Sequence, residues 1–237
     1  MATLNEIAYS LLNTLRHGRA TSTERISLDQ IKYFIINKRS QYIRNELNKN
    51  RTIDPRIVQD LGCVEVEQTD SSECCDIPSG CVVIRTKKKI PSTVELHNEY
   101  LITRVGPINK LSTNFDLVEY ERVPFLFRSK FSKKRIRSFM IHDGGYIYIV
   151  MDKDNPYAKM IKNINIQGVF EDPREARNFQ TEDCKPCYTD DSEFPIKTWM
   201  ISSLEKDILE SSLFISGQAP YDNTSGKQEL TVDQKGQ

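Results

Sequence analysis

The residues able to do chemistry are few, and none stands in a catalytic arrangement. Three histidines occur, His17, His97 and His142, and none has the HExxH or HxH spacing that aims two imidazoles at one metal. The chain has no GxxxxGKS or GxxxxGKT phosphate loop, no GxGxxG and no GxSxG nucleophile elbow. Asp143-Gly144-Gly145 reads as a turn rather than a phosphate cradle. The acidic pairs Asp190-Asp191 and Asp152/Asp154 read as solvated loop carboxylates rather than a cation site. Cys184-Lys-Pro-Cys187 is a CxxC, and Cys74, Cys75 and Cys81 offer further thiolates for a zinc site. The 74–81 group lacks knuckle spacing, however, and no βα unit follows the CxxC as in a redox motif. The expectation is six ordinary reduced thiols, with no catalytic, cofactor-binding or metal-ligating residue, no cofactor and no enzymatic activity.

What remains is charge, and it is segregated. Lys+Arg and Asp+Glu balance at 33 each, so the chain lacks the positive excess of a nucleic-acid coat. Yet residues 128–137 carry Arg128, Lys130, Lys133, Lys134, Arg135 and Arg137 and no acid. Residues 171–193 carry eight acids against three bases. Two solvated loops of opposite sign would explain this. So would a basic edge of one copy meeting an acidic edge of the next, a head-to-tail contact that closes into a ring. The six basic residues are therefore candidates for a subunit interface or for a DNA-channel lining that touches only phosphates. A nucleic-acid-binding module using 128–137 is the alternative; it lacks stacking aromatics beyond Phe131.

The elements that must position these residues are helical at both ends and β in the middle. Thr3-Leu4-Asn5-Glu6 and Ser27-Leu28-Asp29-Gln30 are capping boxes. The first opens a helix carrying Ile7, Leu11, Leu12 and Leu15, ending near Gly18. The second opens a helix to about Lys49, with Leu28, Ile31, Ile35 and Tyr42 on one face. Phe34, Ile43 and Leu47 widen that stripe, so this helix should pack against more than one neighbour. Strands are expected at 63–67, 81–84, 100–105, 125–127, 139–141, 146–150 and 163–170, separated by long polar loops at 68–80 and 106–122. Asp172-Pro173 should start another helix, and Ile196, Met200, Leu204 and Ile208 mark the last one. The expected fold is α+β: helical parts 1–60 and 171–215 forming one bundle, an inserted antiparallel β domain 61–170, and an extended segment 216–237. That last segment is too polar to fold alone. Tyr221, Leu230 and Val232 are its candidate anchors for docking on a partner. No apolar run is long enough to span a bilayer, and the N-terminus lacks the pattern of a secretory signal.

Several segments together resemble the head–tail connector proteins of crAss-like bacteriophages. They are Ile166-Gln167-Gly168-Val169-Phe170-Glu171-Asp172-Pro173, Asp190-Asp191-Ser192-Glu193-Phe194-Pro195-Ile196 and Trp199-Met200-Ile201. Leu4-Asn5-Glu6-Ile7-Ala8-Tyr9-Ser10, Gly18-Arg19, Ser27-Leu28-Asp29-Gln30-Ile31, the Lys38-Arg39 helix and Gly144-Gly145-Tyr146-Ile147-Tyr148-Ile149 extend the likeness over roughly residues 4–215. The resemblance implies a structural virion protein at the head–tail junction, assembled in the host cytoplasm. Twelve copies would form a ring, with the portal protein and adjacent tail or ring proteins as partners. Genomic DNA would pass non-specifically through its channel.

Overall fold

A computed structural model describes residues 2–15, 26–50, 52–69, 81–96, 99–109, 114–119, 122, 136–140, 145–152, 155 and 160–215. Both capping boxes form. Thr3 N–H donates to Glu6 Oε2 (2.9 Å) while Glu6 N–H donates to Thr3 Oγ1 (3.1 Å), opening α1 (Leu4–Leu15). Ser27 N–H donates to Gln30 Oε1 (2.9 Å) and Gln30 N–H to Ser27 Oγ (3.3 Å), opening α2 (Leu28–Asn50). Each pair satisfies two backbone donors that no helical carbonyl can reach. The third helix, α3 (Thr198–Ile215), buries Met200, Leu204 and Ile208 at spacing four. The three helices pack on one another.

The described residues include ten strands, in chain order between α2 and α3: β1 (Gln59–Asp60), β2 (Val64–Thr69), β3 (Cys81–Thr86), β4 (Glu95–Leu96), β5 (Glu99–Tyr100), β6 (Ile102–Gly106), β7 (Asp116–Leu117), β8 (Arg137–Met140), β9 (Ile147–Asp152) and β10 (Asn163–Gly168). Eight form one sheet in the order β1-β10-β2-β3-β9-β8-β7, with β6 also on β10; β4 and β5 make a separate ribbon. Every pairing is antiparallel except β7 with β8. The architecture is thus mixed α+β on an antiparallel sheet. The β8–β9 pair meets at Met140↔Ile147, beside Gly145 in a left-handed conformation (φ 62°), as the glycine signal requires.

Several local expectations shift, each for a physical reason. The strand expected at 100–105 is two strands interrupted at Leu101, whose carbonyl accepts the Val169 N–H (2.9 Å) instead of staying in the ladder. β10 bulges between Gln167 and Gly168 at the same place, so Val169 and Phe170 leave the sheet. Asp172-Pro173 starts a six-residue 3₁₀ turn (Pro173–Asn178), not an α-helix; Asp172 caps it by accepting the Arg174 N–H (2.9 Å). Asp54-Pro55-Arg56 repeats that geometry, with Asp54 accepting the Arg56 N–H (2.9 Å). The expected strand 125–127 and the first helix's end near Gly18 lie outside the described residues.

One main core joins helices and sheet. Leu4 and Leu11 of α1, Ile31 and Ile35 of α2 and Leu204 of α3 pack with Ile147, Ile149, Ile164 and Ile166 of the sheet. A second cluster forms where the far half of α2 (Ile43, Leu47) meets Ile57, Val94, Leu101 and Val169. That division explains the wide apolar stripe of α2: its two halves cover different neighbours. Between the clusters sits Arg39, wholly buried. Its Nε donates to Pro195 O (2.7 Å) and its Nη1 to Phe170 O (2.7 Å), so one guanidinium joins α2 to the chain leaving β10 and to the chain approaching α3. The guanidinium carbon also lies 5.8 Å from the centroid of the Phe194 ring.

Candidate functional site: an acidic cleft beside the cysteine hairpin

The polypeptide from Phe179 to Cys187 folds back on itself. Thr181 N–H donates to Lys185 O (2.8 Å), Cys184 N–H to Thr181 O (3.0 Å) and Cys187 N–H to Phe179 O (3.0 Å). Cys184 takes a left-handed conformation (φ 59°) at the tip. This hairpin rests on the segment after β1, where Cys63 N–H donates to Gln180 O (2.8 Å). Asp60 fixes the floor: Oδ1 accepts from Gly62 N–H (2.8 Å) and Asn165 Nδ2 (2.6 Å), and Oδ2 accepts from Gln167 Nε2 (3.0 Å). Between the 55–62 segment and the 181–195 segment lies a cleft of about 860 Å³.

The cleft's walls are acidic. Among the described residues, Asp60, Glu182, Asp183 and Glu193 line it against a single cation, Arg56. Gln59 and Tyr188 also line it; both are more than nine-tenths buried. Gln59 Nε2 donates to Pro173 O (3.3 Å), but neither Gln59 Oε1 nor Tyr188 Oη has a hydrogen-bond partner among the described residues.

Two thiols beside the cleft, Cys63 and Cys187, are shifted toward the protonated form. Burial pushes the Cys187 thiol up to about 11, and Asp60 and Cys63 add to the shift. Burial also raises Cys63, with help from Glu182 and Asp60. A thiol in such a setting is a weak nucleophile and a weak metal ligand, because both roles need the thiolate. Among the described residues, no three or more His, Cys, Asp or Glu side chains are arranged to hold a metal ion. Cys74 and Cys75 lie outside those residues.

The acidic segment 171–193 is partly consumed inside the chain. Asp190 forms an ion pair with Lys32 of α2 (2.6 Å), and Asp191 accepts from Asn5 Nδ2 of α1 (2.5 Å). Asp172 pairs with Arg174 (2.8 Å). Burial disfavours the Asp172 charge, but hydrogen bonds from Arg174 outweigh that and hold its carboxyl below the usual range. Asp190-Asp191 is therefore a fastening of the helices rather than a free acidic pair. Glu182, Asp183 and Glu193 are the acids of this segment that face the cleft.

Of the six basic candidates, Arg137 starts β8, is 7% exposed and is already engaged within the chain. Arg128, Lys130, Lys133, Lys134 and Arg135 lie outside the described residues, as do Tyr221, Leu230 and Val232. Residue types and spacing did not point to Gln59, Asp60 and Tyr188, because they converge only through the sheet. The available signal was Gly62, a glycine directly after an apolar leucine and before a strand.

No helix among the described residues is long and apolar enough to cross a membrane. No curated protein matches the sequence. The family described as Phage tail ring protein 2 (CrAss_Ring_2) matches residues 6–234, which takes in the helices, the sheet, the cleft and most of the C-terminal segment. The chain belongs to this family of bacteriophage tail ring proteins.

Proposed function

We propose that the protein is a subunit of a homo-oligomeric ring, twelve copies round, that connects the capsid portal to the tail and encloses the channel for the genome. The observation that carries this reading is the family match over residues 6–234. Segregated charge in a chain of zero net charge supports it, since copies can attract one another without repelling as wholes. The chain's one tryptophan supports it too: Trp199, at the start of α3, is 57% exposed, and exposed tryptophans serve as interface anchors. In this reading the helical parts 1–60 and 171–215 form the assembling bundle. The part 61–170 is inserted between them, and DNA meets only sequence-blind phosphate contacts. The protein organises a channel and catalyses nothing.

Light scattering on a size-exclusion column, with and without a portal protein, tests this. The expected mass is close to twelve times 27.4 kDa, alone or on the portal. A monomer under both conditions that shifts DNA mobility would replace the ring with a nucleic-acid-binding module.

The C-terminal segment has its own expected behaviour. Deleting residues 217–237 should leave the subunit's melting unchanged, because so polar a segment offers little apolar surface to a core. The same deletion should abolish docking on the neighbouring ring or portal. A segment this polar orders only by borrowing a partner's backbone donors and acceptors, most simply along a sheet edge. Docking that survives the deletion would make the segment a passenger.

A further inference from the structure

Carboxylates outnumber cations among the described residues that line the cleft. Three of its four carboxylates, Glu182, Asp183 and Glu193, sit on exposed positions around it. Of the residues that line it, Gln59 has a buried acceptor, Oε1, with no donor among the described residues, and Tyr188 Oη is likewise buried without a partner among them. A buried acceptor without a donor is destabilising unless something outside the chain supplies one. The ligand that suits such walls carries several N–H donors and positive charge. A guanidinium or an ammonium on a flexible stem meets both needs. A volume of about 860 Å³ suits side chains of a peptide rather than a single bare ion. The floor is preorganised, because three hydrogen bonds hold Asp60 before anything arrives.

We propose that this cleft takes arginine or lysine side chains from residues 128–135 of a second copy of the chain. The argument for that occupant is charge complementarity. Residues 128–135 hold five cations and no acid, the counterpart of a cleft with four carboxylates and one cation. The contact is head-to-tail: one copy's cleft receives the next copy's basic segment, and repetition through a closing rotation gives a ring. The inference rests on the reading of the chain as a self-assembling ring subunit and names the contact that joins its copies.

The test uses the full chain and a labelled peptide of its own residues 126–137 as probe. Fluorescence anisotropy at low salt should show saturable binding to the wild-type protein. Reversing Glu182→Lys and Asp183→Lys together should weaken it about tenfold or more, since both charges are desolvated by the ligand and become repulsive. These two residues are exposed on the hairpin, and circular dichroism confirms that the variant is folded. Raising salt should weaken wild-type binding in the same direction. Equal peptide binding by wild type and variant overturns the proposal.

The occupant's source is read by mixing two defective proteins. One carries the reversed cleft; the other carries Lys133→Glu, Lys134→Glu and Arg135→Glu. Each alone should fail to assemble, while the mixture should associate in a one-to-one ratio, as heterodimers or larger alternating assemblies, because the intact cleft meets the intact basic segment and the reversed cleft meets the reversed segment. Peptide binding that depends on the cleft, with no association in the mixture, means that the cleft is filled by its own chain, and the second-copy contact is wrong. Rings of normal mass from the reversed-cleft variant leave the ring reading standing and remove this contact. A wild-type monomer whose cleft still binds the peptide removes the ring and keeps the cleft's chemistry.

Discussion

Replacing Arg39 with methionine should lower the free energy of unfolding by about 3 kcal/mol, a fall in melting temperature of about 6–12 °C. The side chain is wholly buried, and burial pulls its guanidinium down to about 10, so it remains charged at neutral pH. No carboxylate pairs with it directly; carbonyl oxygens carry the charge instead, Pro195 O and Phe170 O at 2.7 Å each. Methionine fills similar volume and removes the cost of burying a charge, which works in the variant's favour. It also strands two buried carbonyls, each costing about 1–3 kcal/mol, and those losses dominate. Lysine should recover less than half. Its single nitrogen cannot serve two carbonyls that the planar guanidinium reaches from different edges. Urea denaturation of Arg39→Met and Arg39→Lys measures this. A methionine variant within about 0.5 kcal/mol of wild type would show that the carbonyls find other donors and that Arg39 is not the fastening described here.

Arg39 also shows where the sequence was legible and where it was not. Ile31, Ile35, Arg39, Ile43 and Leu47 are spaced four apart and are all buried, so the stripe was visible while its charged member was passed over. Arginine is rarely buried whole, and a reading by residue type sends it to the surface. The helices were legible because their signals are local. Thr3 with Glu6 and Ser27 with Gln30 close their own hydrogen bonds within one turn. Strand identity was largely legible from alternation, and strand order was not. Nothing in the run Asn163–Gly168 announces that β10 pairs with β1, β2 and β6, since pairing across a hundred residues leaves no local trace. The two-residue strands β1 and β7 are too short to show a period at all.

The same distinction applies to the cleft. Its charge was legible as an excess of acids in 171–193, yet the sequence does not say which of them are spent. Asp190 and Asp191 fasten the loop to α2 and α1, and Asp172 caps a turn, leaving Glu182, Asp183 and Glu193 at the cleft and Glu171 and Glu175 exposed outside its lining. A count of charges along a chain measures the supply; only the pairing across elements shows what remains for a partner. The CxxC is a case where spacing alone says little. Its spacing is compatible with metal or redox chemistry, whereas burial, with Asp60 and Cys63 nearby, holds Cys187 as a thiol, and the pair lies on the hairpin that turns over the floor of the cleft.

That hairpin sets the other large expected effect. Gly62→Ala should cost about 3–4 kcal/mol, well above an ordinary glycine replacement. Gly62 has φ 63°, so any side chain pays the left-handed penalty of about 1–2 kcal/mol. In addition, a Cβ there would lie 2.4 Å from Gln180 O and 3.0 Å from Thr181 Cα, both backbone atoms that no rotamer change can move. The hairpin must lift, and the 2.8 Å bond from Cys63 N–H to Gln180 O goes with it. Gly145 supplies the control. It has nearly the same φ, 62°, but the nearest atoms to its would-be Cβ are 3.7 Å away, so Gly145→Ala carries the conformational penalty alone. The difference between the two variants in urea denaturation isolates the close approach of hairpin to floor. Lifting the hairpin should also uncover Cys187 and speed its labelling by a thiol reagent, because the burial that holds its proton is removed. If Gly62→Ala costs no more than Gly145→Ala and leaves the labelling rate unchanged, the hairpin does not rest on Gly62 and the cleft has no fixed wall on that side.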